Sequence, residues 1–112
     1  MKKDPKDFAL SKLLNIEFPV IVAPMFLVSN VEMVVEAIKA GATGAIPALN
    51  YRTVDELRAA IQRIKKEAKG PLGINLIVNK SNFLYKEQLK VICEEKISFR
   101  WLSTAYSNHK YV

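Results

Sequence analysis

Three apolar, strand-like runs recur along this chain about 25 residues apart, and a segment with helical spacing follows each of them. The runs are Val20-Ile21-Val22-Ala23, Gly44-Ala45-Ile46 and Leu72-Gly73-Ile74-Asn75-Leu76-Ile77-Val78. A strand apolar on both of its sides belongs to a parallel sheet with both faces covered. Alternation of such strands with helices predicts an α/β fold built from successive βα units. A sheet of this kind needs a partner at each edge as well as cover on each face.

The helices carry their own punctuation. Ser29-Asn30-Val31-Glu32 has the capping-box pattern, in which a hydroxyl satisfies an orphan amide and a glutamate reaches back. Val31, Val34, Val35 and Ile38 form the stripe that follows, and Gly41 suits the left-handed residue after the helix. Thr53-Val54-Asp55-Glu56 repeats the pattern ahead of Leu57, Ala60, Ile61 and Ile64, and Gly70-Pro71 stops the segment. A third helix is expected from about Leu84 to Glu95, capped from the polar loop Asn79–Asn82 and turning Leu89, Ile92 and Cys93 inward. Phe8, Leu10, Leu13 and Leu14 predict a short amphipathic lead-in helix over Lys6–Leu14.

Ile97-Ser98-Phe99 starts like a fourth strand, so residues 1–99 read as one continuous architecture. Residues 100–112 read differently. They hold the only Trp, the only His and two of the four Tyr, with no acidic residue, and Arg100 falls where a buried strand should be apolar. This tail is expected to lie outside the repeating fold.

Composition excludes several functions. No apolar run approaches the roughly 20 residues that span a bilayer, and Lys6 and Asp7 interrupt any signal-peptide core behind the basic start. Cys93 stands alone, without an internal disulfide partner or metal-ligand spacing, and reads as a small buried group in a cytoplasmic protein. The net charge of +6 raises the question of nucleic acid. Lys65, Lys66 and Lys69, however, sit at a helix C-terminus, where cations oppose the macrodipole. No basic run is interleaved with aromatics, so neither a nucleic-acid nor a membrane partner is expected.

Chemistry is equally bounded. No G-x-x-x-x-G-K-[ST] or G-x-G-x-x-G loop is present, and the lone His109 cannot complete a nucleophilic triad. What remains are the C-terminal ends of the strands, where parallel α/β folds bind ligands. These ends are Ala23-Pro24-Met25, Pro47 to Asn50, and Asn75. An amide inside an apolar strand must find hydrogen-bond partners, so Asn75 meets either neighbouring backbone or a ligand.

Several of these segments together carry a resemblance. Leu13 to Met25, with its apolar strand and Ala23-Pro24-Met25 ending, resembles the opening of the nitronate monooxygenase family. Val28-Ser29-Asn30 ahead of a helix ending at Ala40-Gly41, and Gly70-Pro71-Leu72-Gly73-Ile74-Asn75-Leu76, extend the similarity over residues 8–99. The resemblance implies an FMN-binding (β/α)8 TIM-type barrel that oxidises alkyl nitronates with O2. Close relatives reduce enoyl-thioesters with NAD(P)H and FMN instead. By position, Ala23, Pro24 and Met25 would lie against the flavin ring and Asn75 would make a polar contact to FMN. No catalytic residue is assigned, because the family's histidine and phosphate-binding glycine loops have no counterparts here.

A barrel of this type takes on the order of 250 residues. The chain is therefore expected to be the first three to four βα units of the barrel, truncated and inactive alone, with an exposed edge prone to oligomerisation or aggregation. The competing reading is a small α/β module that binds without catalysis. The family's glycines after the second strand are replaced by Ile46-Pro47-Ala48-Leu49-Asn50-Tyr51, which alters the pocket on that side.

Overall fold

The computed structural model describes residues 3–103. A 3-10 turn (Pro5–Asp7) and helix α1 (Ala9–Leu14) lead into β1 (Ile21–Val22), followed by α2 (Val31–Lys39) and β2 (Thr43–Pro47). A second 3-10 turn (Ala48–Asn50) joins β2 to α3 (Val54–Glu67), and β3 (Gly73–Ile77), α4 (Tyr85–Glu94) and β4 (Phe99–Ser103) complete the order. The four strands form one sheet in the order β1-β2-β3-β4, and every pairing is parallel.

Strand order that equals sequence order has a geometric result. Right-handed crossovers that always step in one direction place every connecting helix on the same face. The core confirms this: Val34, Val35 and Ile38 of α2, Leu57, Ile61 and Ile64 of α3, and Val91 and Ile92 of α4 join Ile46, Ile74 and Leu76 in one buried cluster. Side chains alternate along a strand, so Pro47, Gly73, Asn75 and Ile77 point to the opposite face. Phe99 shares that face, because its ring lies over Gly73.

The two stripes expected for α2 and α3 are the buried residues observed, and Gly41 is left-handed at φ +93°. The cap of α2 differs. Asn30, not Ser29, takes the N-cap position, and its Oδ1 accepts from the Met33 amide at 2.9 Å. The Ser29 hydroxyl is committed to the preceding loop instead. At α3 the Thr53 Oγ1 accepts from the Glu56 amide at 3.1 Å, while Glu56 Oε2 accepts from the Arg52 amide at 3.0 Å. Thr53→Ala is expected to cost about 1 kcal/mol, read as a lower urea midpoint with an unchanged slope.

Three expectations are corrected. Cys93 is exposed, although Ile92 is buried and Leu89 packs against the core as expected; Gln88 and Val91 are buried in its place, and the Gln88 Oε1 is satisfied by Asn82 Nδ2 at 2.8 Å. In the lead-in helix Ser11 is the buried residue, held by its hydroxyl on the Pro5 carbonyl at 2.7 Å, while Leu13 is 80 % exposed. The sheet also continues past Phe99: Arg100 to Ser103 pair in parallel with Ile74 to Ile77. Of the expected tail, residues 104–112, His109 among them, lie outside the described residues.

Candidate functional site

The C-terminal ends of β2, β3 and β4 and the loop after β1 enclose a cavity of about 440 Å³. Pro24, Phe26, Pro47, Leu49 and Ile77 give it apolar walls, and Asn75 and Ser103 are its polar groups. A mostly apolar concavity with few, placed polar groups is the usual form of a small-molecule site. None of the seven lining side chains titrates, so acid–base chemistry at this cavity has no donor among them.

Asn75 enters because strand alternation turns it away from the helix layer. Its Nδ2 donates to the Trp101 carbonyl at 2.8 Å, across the β3–β4 pairing. One half of the carboxamide is therefore satisfied by neighbouring backbone. The Oδ1 accepts no hydrogen bond from the described residues. The first of the two readings of this amide, a bond to neighbouring backbone, is the one observed.

The loop after β1 is built by two side chains. The fully buried Ser29 hydroxyl donates to the Ala23 carbonyl at 2.6 Å and accepts from the Met25 amide at 2.9 Å. From the turn after β2, Asn50 Oδ1 accepts from the Leu27 amide at 2.8 Å and Nδ2 donates to the Ser29 carbonyl at 2.9 Å. Leu27 is left-handed at φ +61°, a conformation that costs an L-residue about 1–2 kcal/mol.

The residues singled out in the sequence are placed unequally. Pro24 and Asn75 line the cavity. Ala23 lies on the loop, where its carbonyl is taken by Ser29, and Met25 is exposed beside the cavity without lining it. From the Pro47–Asn50 group, Pro47 and Leu49 face the cavity while Asn50 braces the loop. Phe26, Ile77 and Ser103 went unpredicted. Ile77 follows from Asn75 by the two-residue period of a strand, but Ser103 lay in the stretch read as a tail.

Perturbed ionisation lies elsewhere, on the outer helical surface. Glu32 is held below the usual carboxylate range by a backbone hydrogen bond and by Arg63, whose Nη1 is 2.8 Å away. Arg63 also pairs with Glu67 at 2.7 Å, an exposed network with a structural role. Among the described residues no group of His, Cys, Asp and Glu is arranged to hold a metal ion. No helix of these residues is long and apolar enough to cross a membrane.

The nitronate monooxygenase family matches residues 7–111. This chain belongs to that family. The match runs through β4 and beyond the Phe99 boundary. Two solved structures are similar: FabK from Thermotoga maritima, at 27 % identity and a TM-score of 0.70, and a mutant of the same protein, at 26 % identity and 0.75. The similarity covers 79 % and 85 % of this chain but 27 % and 31 % of those chains. The chain thus spans about a third or less of the length of these neighbours. No curated protein matches it. Nitronate monooxygenase family members are flavin-dependent oxidoreductases, and the parallel α/β sheet described above is the part of the fold this chain shares with FabK.

Proposed function

We propose that the cavity at the strand ends receives the isoalloxazine ring of FMN, in an oxidoreductase of the nitronate monooxygenase type that oxidises alkyl nitronates with O2. The observation that carries the proposal is the coincidence of three things: an apolar cavity of about 440 Å³, a carboxamide at its wall whose oxygen takes no hydrogen bond from the described residues, and the Pro24 loop beside it. This donor set suits a flat, largely apolar ring with a polar edge. It does not suit the phosphate, since no basic side chain among the described residues lines the cavity.

When bound, the flavin supplies the electron transfer itself. The residues of this chain bind and orient. Asn75 Oδ1 would accept a hydrogen bond from the polar edge of the ring, its orientation fixed by the bond to the Trp101 carbonyl. Pro24 would present its apolar ring to the flavin, with Ala23 and Met25 holding it from either side through their bonds to the Ser29 hydroxyl. Phe26 and Leu49 would exclude water and favour an alkyl substituent over a charged one.

The test is titration of the chain with FMN, followed by quenching of flavin fluorescence. Saturable binding is expected, and Asn75→Leu should weaken it about tenfold, the size of one hydrogen bond to a ligand edge. Absence of saturable binding, or equal affinity in the variant, would remove this reading. Consumption of O2 with an alkyl nitronate then separates the monooxygenase reading from simple flavin binding.

A further inference from the structure

We propose that Asn50 is a positioning residue for the flavin cavity, acting by holding Leu27 in its left-handed conformation so that the Ala23–Val28 loop keeps the shape that walls the cavity. The inference rests on the flavin reading above. Asn50 does not line the cavity. It acts through the loop.

Leu27 is the only left-handed residue of this loop, at φ +61°, and its side chain is 68 % exposed. Packing therefore does not hold it in place. A left-handed leucine persists only where surrounding bonds over-determine it. The Met25 carbonyl closes the turn by accepting from the Val28 and Ser29 amides, and the side-chain bonds come from one carboxamide 23 residues from Leu27 in sequence: Asn50 Oδ1 takes the Leu27 amide and Asn50 Nδ2 holds the Ser29 carbonyl. A donor and an acceptor on a short stem are needed together. Aspartate lacks the donor and serine the reach, so asparagine is the residue type that fits.

The geometry links this staple to the cavity. Phe26, the residue before Leu27, forms part of the wall although 59 % of it remains exposed. If Leu27 relaxes to a right-handed or extended backbone, the direction of the chain at Phe26 changes with it. Asn50 also belongs to the segment Ile46–Tyr51 that stands where the family's glycines are expected. Glycines would make that turn permissive. Here the turn carries the Asn50 side chain that braces the neighbouring loop.

The experiment compares the chain with Asn50→Ala, Leu27→Gly and the double variant, using FMN fluorescence titration and hydrogen exchange at the Leu27 amide. Asn50→Ala is expected to weaken FMN about tenfold and to speed Leu27 exchange by a similar factor. Adding Leu27→Gly should recover roughly threefold or more of the lost affinity, because glycine reaches φ > 0 without steric cost. A merely structural asparagine would show no such rescue. Unchanged affinity in Asn50→Ala, or a double variant no better than the single one, overturns the positioning role while leaving the flavin reading intact. Failure of the unaltered chain to bind FMN overturns both.

Discussion

Gly73→Ala should destabilise the protein by about 1–3 kcal/mol, far more than an exposed strand glycine would. The cause is a ring, not a backbone angle. A Cβ at position 73 would stand 2.7 Å from Phe99 Cδ2 and closer still to Cε2 and Cζ. Gly73 and Phe99 are paired across the parallel β3–β4 ladder, so the ring cannot withdraw without disturbing that register. Urea denaturation reads the loss. In a Phe99→Ala background the same substitution should cost less than about 0.5 kcal/mol, since the clash is gone. Equal costs in the two backgrounds would show that the ring is not the reason. The Pro-x-Gly-x-Asn pattern at residues 71–75 thereby acquires a physical account, in which glycine gives Phe99 its seat and asparagine faces the cavity.

Ser29→Ala should cost a similar amount, about 1–3 kcal/mol, and should also disorder the loop after β1. The Ser29 side chain is fully buried, and its hydroxyl satisfies both the Met25 amide and the Ala23 carbonyl. Truncation leaves these two backbone groups facing a methyl group, with no room gained for water. The Met25 amide, hydrogen-bonded to Ser29 in the unaltered protein, should then exchange with solvent at a much higher rate. A Ser29→Ala protein with the unaltered midpoint and Met25 protection would mean that the loop is held by other contacts. The effect is distinct from that of Asn50, whose bonds lie further along the same loop at Leu27 and Ser29.

The sequence announces some of this plainly. The stripes Val31-Val34-Val35-Ile38 and Leu57-Ala60-Ile61-Ile64 were legible because a helix repeats its buried face by arithmetic, and Thr53 marked its own helix start. Ser29 was misread by one position, because Ser29 and the adjacent Asn30 are equally good caps. What separated them was a need for Ser29 in the loop, which only the folded chain reveals. Cys93 was misplaced because α4 has no strong stripe and buries a glutamine. At the cavity, Pro24 and Asn75 were legible as strand-end residues. Phe26 was not, since its position depends on a left-handed leucine braced from another unit. Arg100 marked the last strand as foreign because a charge there breaks the apolar pattern, yet backbone pairing with Ile74 carries it.

A sheet whose spatial order is its order of synthesis also shapes how the chain acquires its fold. Among the described residues, β2, β3 and β4 each pair with the strand made just before them. The ribosome emits about 5–20 residues per second, while a helix forms within microseconds. Each unit thus has seconds to dock on its predecessor before the next emerges. Assembly of these strands can proceed as a zipper drawn from one end, with each new strand added at the growing edge.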